Sequence, residues 1–158
     1  MHIREMTVQD NAAIEEIIKR SLESVGLDIP GTAYYDPQLG HLADFYKSQD
    51  NANYWVVEND EGVVVGGIGI APFNREQGIC ELQKLYIAPA AQGQGLSNGL
   101  METALQFAKQ HYSACYLETS TQLNVANQLY VKFGFTLLDE PIDGSDHHTM
   151  DAWYLKKL

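Results

Sequence analysis

Residues 88–99 read APAAQGQGLSNG, with three glycines in seven positions between a strand-like apolar run and a helix-spaced one. Glycines placed there let backbone approach a ligand closely, and three chemistries use such a loop. A dinucleotide fingerprint needs G-x-G-x-x-G, whose third glycine lets helix and strand pack closely. Gly93, Gly95 and Gly99 are spaced one residue too long, the loop lies in mid-chain behind a hairpin, and Glu118 would have to act as the ribose acid. A nucleoside-triphosphate loop fails outright, because no Gly-Lys-Ser/Thr follows to reach phosphate and hold magnesium. The third chemistry is a cradle for pyrophosphate. Amides from Gly93 to Ser97 can converge at a helix N-terminus, where the dipole favours anions, with Gln92 bracing the loop. From the loop alone this stands level with a plain strand-to-helix turn.

Two other stretches invite chemistry. DGSDHHTMD, residues 143–151, holds two histidines and three aspartates. Adjacent histidines on an extended chain point to opposite faces and no second ligand cluster exists, so the sequence predicts a solvated loop and no metal. His147 or His148 can still border a substrate site, since the loop leads into the last strand. Cys115 lies in strand-like sequence and reads as core rather than as a nucleophile.

Around the loop the elements are legible. HIREMT alternates as a short strand, and Ala13, Ile14, Ile17, Ile18, Leu22 and Val25 recur at helical spacing, with Thr7 or Asp10 as caps and Gly26 as a stop. LDIPGTAYYDPQ is a loop and LGHLADFYKSQ a shorter helix. NYWVVEND and VVVGGIGIAPF form a hairpin through NDEG, and GICELQKLYIAP is a longer strand ended by Pro89. A helix from Gly95 to His111, the strand ACYLET, a helix from Leu123 to Phe133 and the strands GFTLLDE and AWYLKKL complete the order β-α-α-β-β-β-α-β-α-β-β. Hairpins first and strand–helix–strand units later predict an α/β mixed sheet, mostly antiparallel, of about six to seven strands with helices on both faces.

Bulk properties narrow the function. A chain of 158 residues fits a single domain over 1–158. The net charge of -11 and pI near 4.7 argue against nucleic acid, which needs clustered lysine and arginine. The two cysteines have no metal-ligand spacing, no targeting signal opens the chain, and no apolar run reaches membrane-spanning length. The expectation is a cytoplasmic protein without membrane or nucleic-acid partners.

The run ELQKLYIAPAAQGQGLSNGLM resembles motif A of the GNAT superfamily of N-acetyltransferases, whose loop reads Gln/Arg-x-x-Gly-x-Gly/Ala. Gln92 to Leu96 fit its first five positions, and Ser97 departs at the sixth. Ala126-Asn127-Gln128-Leu129-Tyr130-Val131-Lys132-Phe133-Gly134-Phe135 resembles the family's A-x-x-L-Y-x-K-x-G-F segment. Both segments are in register and the element order matches, so the resemblance covers nearly the whole chain and implies the GNAT fold, with its sheet flanked by about four helices.

The resemblance implies that acetyl-CoA enters a gap between splayed strands and that its pantetheine pairs with strand backbone, here at Leu85, Tyr86 and Ile87. The pyrophosphate falls to the amides of Gln92, Gly93, Gln94, Gly95, Leu96 and Ser97. Ser97 is harmless unless the backbone there needs positive φ. Tyr130 takes the position that donates a proton to the departing thiolate, and Glu81 that of a general base, with a proton affinity that burial would raise. Glu118 and a water are the other candidates for base. Family members often carry asparagine where Leu123 stands, so Asn124 or Asn127 takes over that contact with acetyl-CoA.

The loop between the first two helices walls the acceptor site in this family. Its Thr32, Tyr34, Tyr35 and Asp36 offer hydroxyls, ring faces and one negative charge, and Glu118 joins them as a candidate acceptor contact. The leading expectation is acetyl transfer to a small or amino-acid-like primary amine by direct attack in a ternary complex. A module that binds acetyl-CoA without turnover, or an enzyme for a peptide amine, is the alternative. A homodimer through an exposed strand edge is also implied.

Overall fold

The computed structural model describes residues 1–145 and 148–158; the expectation for His147 therefore lies outside the described residues. The elements are β1 (His2–Glu5), α1 (Asn11–Ser24), α2 (Leu42–Lys47), β2 (Asn53–Glu58), β3 (Val64–Asn74), β4 (Ile79–Ile87), α3 (Leu96–His111), β5 (Ala114–Thr119), α4 (Asn124–Lys132), β6 (Thr136–Leu138) and β7 (Ala152–Lys157). Their order is the one the sequence predicts. One seven-stranded sheet runs β1-β2-β3-β4-β5-β7-β6. Every described pairing in it is antiparallel except β4 with β5.

Helix α1 forms because Ile14, Ile17, Ile18 and Leu22 share one buried stripe. Val25, expected on that stripe, lies past the helix end and is exposed. The start of α1 is tied to the sheet by the nearly buried Asp10 carboxylate, which accepts two hydrogen bonds from Arg4 on β1 (2.8 and 2.9 Å) and one from the Thr7 amide (2.8 Å).

Two hydrophobic layers sandwich the sheet. Leu96, Leu100, Met101, Ala104 and Ala108 of α3 pack with Val57, Ile68, Cys80, Leu82 and Leu117, and Tyr130 of α4 joins them. The α1 stripe, Leu42 and Tyr46 form the other layer with Tyr54, Val56 and Ala71. Each fully buried leucine or isoleucine stabilises by roughly 1.5–3 kcal/mol, so both layers hold the strands that carry the site.

Strand β3 has glycine where two tyrosines cross it. A Cβ on Gly69 would lie 2.5 Å from the Tyr46 hydroxyl oxygen, and one on Gly67 would lie 2.8 Å from that of Tyr54. Both rings thus reach over β3 to β4.

Candidate active site

Strands β4 and β5 pair only through Ile79, Cys80 and Glu81, opposite Ala114, Cys115 and Tyr116. Beyond that rung β4 stays on β3 while β5 continues on β7, and a cleft opens between them. Leu85, Tyr86, Thr119, Leu123, Ala126 and Tyr130 are among its walls. The β4 edge facing it has no strand partner among the described residues, so its backbone polar groups are available to an extended ligand.

A bulge sets what β4 presents. Gly69 pairs with Gln83 and Gly67 with Tyr86, so three steps on β4 oppose two on β3. Lys84 sits in the bulge with φ +51°, its carbonyl accepting a 2.8 Å hydrogen bond from the Tyr54 hydroxyl. The extra residue reverses the alternation. Leu85, which unbroken alternation would put on the face of Glu81 and Gln83, packs instead with the α3 layer, and Tyr86 with the α1 layer. Ile87 is buried in the α3 layer rather than in the cleft wall, and its carbonyl accepts the Gln92 side-chain amide at 3.1 Å. That is the brace expected of Gln92.

The glycine loop ends at the N-terminus of α3. Gly93 and Gly95 have φ of +79° and +75°, which a side chain would strain. Gln92, Gly93, Gln94 and Gly95 are exposed, and Leu96 and Ser97 form the first helical turn. Ser97 needs no positive φ, so it is no liability. Gly99 faces β1, where a Cβ would meet Ile3 at 2.9 Å, and so serves packing. Lys132 of α4 donates to Asn98 of this turn at 2.8 Å.

The Tyr130 ring packs against Phe135 and Tyr154 and lines the cleft. Its hydroxyl makes no hydrogen bond among the described residues. Burial pushes its proton affinity up, with Tyr154 and Cys115 adding to the effect, so the phenol stays protonated.

A second cavity of about 640 Å³ adjoins the cleft. Tyr35, Asp36, Phe45, Phe73, Gly144 and His148 are among its walls, and Thr32, Glu81, Gln83 and Lys84 belong to both spaces. Gln83 donates from Nε2 to Glu81 Oε1 at 2.6 Å and accepts at Oε1 from the Tyr46 hydroxyl at 2.7 Å. The Lys84 ammonium lies 2.6 Å from Asp36 Oδ2, both side chains nearly buried.

Other expected residues sit elsewhere or are already committed. Tyr34 turns to α1, where its hydroxyl donates to Glu23 at 3.2 Å and Lys19 lies over its ring, so it does not wall the cavity. Thr32 lines the cavity, but its hydroxyl serves its own loop, donating toward the carbonyls of Leu27 and Ile29 and accepting the Tyr34 amide. Asn127 spends its amide on the carbonyls of Ser120 and Leu123 and on the Tyr154 hydroxyl; Asn124 is exposed at the start of α4, and neither lines the cleft. Glu118 does line it, but accepts from Tyr116 at 2.9 Å and Ser145 at 2.6 Å, which leaves it an anchor for the loop before β7.

Gln83, Lys84, Tyr46 and the aromatic pair Phe45 and Phe73 were not legible as site residues. The only sequence signal was the G-G-x-G run of β3, whose partners depend on how α2 folds back. Among the described residues no cluster of three or more His, Cys, Asp or Glu is arranged to hold a metal, and no helix is long and apolar enough to cross a membrane.

Residues 12–135 match the Acetyltransferase (GNAT) family. The chain is 40% identical over 159 aligned residues to the uncharacterized N-acetyltransferase YjgM of Escherichia coli K12, covering 99% of this chain and 94% of that one. It spans about half the length of human N-acetyltransferase 8, at 34% identity over 115 residues and 67% of this chain (50% of that protein). The fold matches that of a GNAT-family acetyltransferase from Staphylococcus aureus Mu50 (TM-score 0.86, 18% identity, 99% of this chain and 98% of that one). It also matches the PaiA N-acetyltransferase of Thermoplasma acidophilum, solved with coenzyme A (TM-score 0.74, 22% identity, 99% and 98% coverage).

Proposed function

The chain belongs to the GNAT acetyltransferase family, and from that premise we propose that residues 1–158 transfer an acetyl group from acetyl-CoA to the primary amine of a small acceptor. The observation that carries this reading is the junction of two spaces at Glu81, Gln83 and Lys84: a narrow cleft along a free strand edge, and a roomier cavity beside it. A donor and an acceptor held one in each would meet there, which suits direct attack in a ternary complex.

The residues present fit acetyl-CoA. Amides from Gln92 to Ser97, opened by two left-handed glycines at a helix N-terminus, suit a pyrophosphate. The free β4 edge at Leu85 and Tyr86, facing the cleft, suits pantetheine. When bound, acetyl-CoA supplies the thioester carbonyl that the amine attacks.

Glu81 takes the proton that the acceptor ammonium must lose before its nitrogen can attack. Tyr130, kept protonated by burial, stands as donor to the departing sulfur, whose own basicity rises in the same dry cleft. Tyr35, Phe45 and Phe73 offer ring faces to the acceptor's body, and the carboxylates draw its ammonium end. The Lys84–Asp36 pair cancels one of those charges, which favours an acceptor of low positive charge over a polycation. The work is cytoplasmic, where both buried cysteines stay thiols.

The test is a thiol-release screen over monoamines, amino acids, polyamines and N-terminal peptides, repeated with Glu81→Gln and Tyr130→Phe. Turnover with a small monoamine that both substitutions suppress supports the proposal. Turnover untouched by both would overturn the residue assignment. Turnover confined to peptides would overturn the acceptor class.

A further inference from the structure

We propose that Gln83 is a positioning residue for Glu81, and that Tyr46 holds its amide in the orientation the carboxylate requires. This rests on Glu81 being the base. The geometry is a continuous line: Tyr46 hydroxyl to Gln83 Oε1 at 2.7 Å, then Gln83 Nε2 to Glu81 Oε1 at 2.6 Å. An ionised carboxylate only accepts, so the NH2 end of Gln83 must face Glu81, and Oε1 is left for the tyrosine.

The line is built into the fold. Tyr46 is 2% exposed in α2 and reaches β4 by passing over Gly69, the residue paired with Gln83 in the sheet. Any side chain at Gly69 would occupy the phenol's path, its Cβ 2.5 Å from the hydroxyl oxygen. Tyr54 packs against Tyr46 with centroids 5.3 Å apart and holds the Lys84 carbonyl, which fixes the backbone next to Gln83. Burial keeps the Tyr46 phenol protonated.

Two consequences follow for a base. Donation from Nε2 favours the charged carboxylate, the form that can accept a proton. Once protonated, Glu81 must donate. A half-turn of the Gln83 amide then offers Oε1 to it, while Nε2 donates to the Tyr46 oxygen. An amide next to a phenol serves both states, whereas a methionine serves neither. Among the described residues, the other titratable groups facing Glu81 include Tyr46 from α2, Cys115 and Tyr116 from β5, and Asp36, Lys84 and His148 around the cavity.

Two readouts test this. The Glu81 carboxyl can be titrated by carbon NMR in glutamate-labelled protein, its signal assigned by its loss in Glu81→Gln; this needs no acceptor. In parallel, kcat/KM is followed against pH with the fastest monoamine of the screen. Gln83→Met is expected to raise the Glu81 midpoint by about one pH unit and to move the acid limb of kcat/KM upward equally, a roughly tenfold loss below it. Tyr46→Phe should shift both the same way by less, and it guards against a folding defect in the first variant. Acetyl-CoA affinity should hold in both. An unmoved midpoint in both folded variants overturns the role of Gln83. An acid limb that persists in Glu81→Gln overturns Glu81 as the base, whatever the midpoints do.

Discussion

Lys84 and Asp36 join the two halves of the site. The lysine sits in the β4 bulge beside the cleft, the aspartate lies within the loop between α1 and α2, and 2.6 Å separates their charged atoms. Their side chains are only 3% and 12% exposed, so the bridge is screened little by water. It fixes the loop between α1 and α2 to the same residue whose backbone bulge shapes the cleft between β4 and β5.

Removing one partner of such a pair takes a charge-assisted bond out of a nearly buried site. Lys84→Met is expected to destabilise by about 3–5 kcal/mol, and Lys84→Met with Asp36→Asn by less than the sum of the two single changes. Denaturant unfolding of the three variants measures the coupling; strict additivity would show that the pair does not act as a unit.

Tyr130→Phe removes one hydroxyl that bonds nothing among the described residues, so stability should change by less than about 1 kcal/mol. If the phenol serves the departing thiolate, kcat should fall about 10²-fold, with acetyl-CoA affinity within about twofold of wild type. Steady-state thiol release and calorimetric titration separate these effects.

The loop can be tested at two adjacent kinds of position. Ser97 is already helical, so Ser97→Gly should leave acetyl-CoA affinity within about threefold. Gly95 has φ +75°, and a new Cβ there would meet Asn98 Nδ2 at 3.7 Å, an ordinary contact, so Gly95→Ala costs mainly backbone strain, about 1 kcal/mol. Acetyl-CoA binding is expected to weaken more in Gly95→Ala than in Ser97→Gly, and the reverse order would show that the loop's backbone does not hold the ligand.

Asp10 supplies a pH-dependent part of stability. The Arg4 guanidinium, and then the Thr7 amide, hold its carboxyl below the usual aspartate value against the opposing effect of burial. A depressed native value contributes stability that is present above the unfolded-state value and lost as pH falls through the native one. Asp10→Asn should therefore destabilise by about 2–4 kcal/mol at neutral pH, with the gap to wild type narrowing below about pH 4. Urea midpoints at both pH values measure it.

Alternation and helical spacing in the sequence determined the element order and the mixed sheet, and the glycines marked the turn before α3. Those signals are local: Ile14 to Leu22 declare one helix face, and Gln92 to Gly95 declare a turn, whatever lies around them. Glu81 and Tyr130 became candidates through the family resemblance, which ties them to the motif residues around Ile87 and Leu129. Only the tertiary structure decided which side chains line the cavity and the cleft. A bulge at Lys84 shifts every later residue of β4 to the other face, and no alternation pattern announces one inserted residue. Tyr34 and Asn127 looked available because their types can bind ligands, yet packing had already assigned their polar atoms to Glu23, Ser120, Leu123 and Tyr154. The line from Tyr46 to Glu81 joins positions 46, 83 and 81 across three elements, and Gly69 explains it only once α2 lies over β3. Contacts of that kind depend on where distant segments meet, a property of the folded chain and not of any window of its sequence.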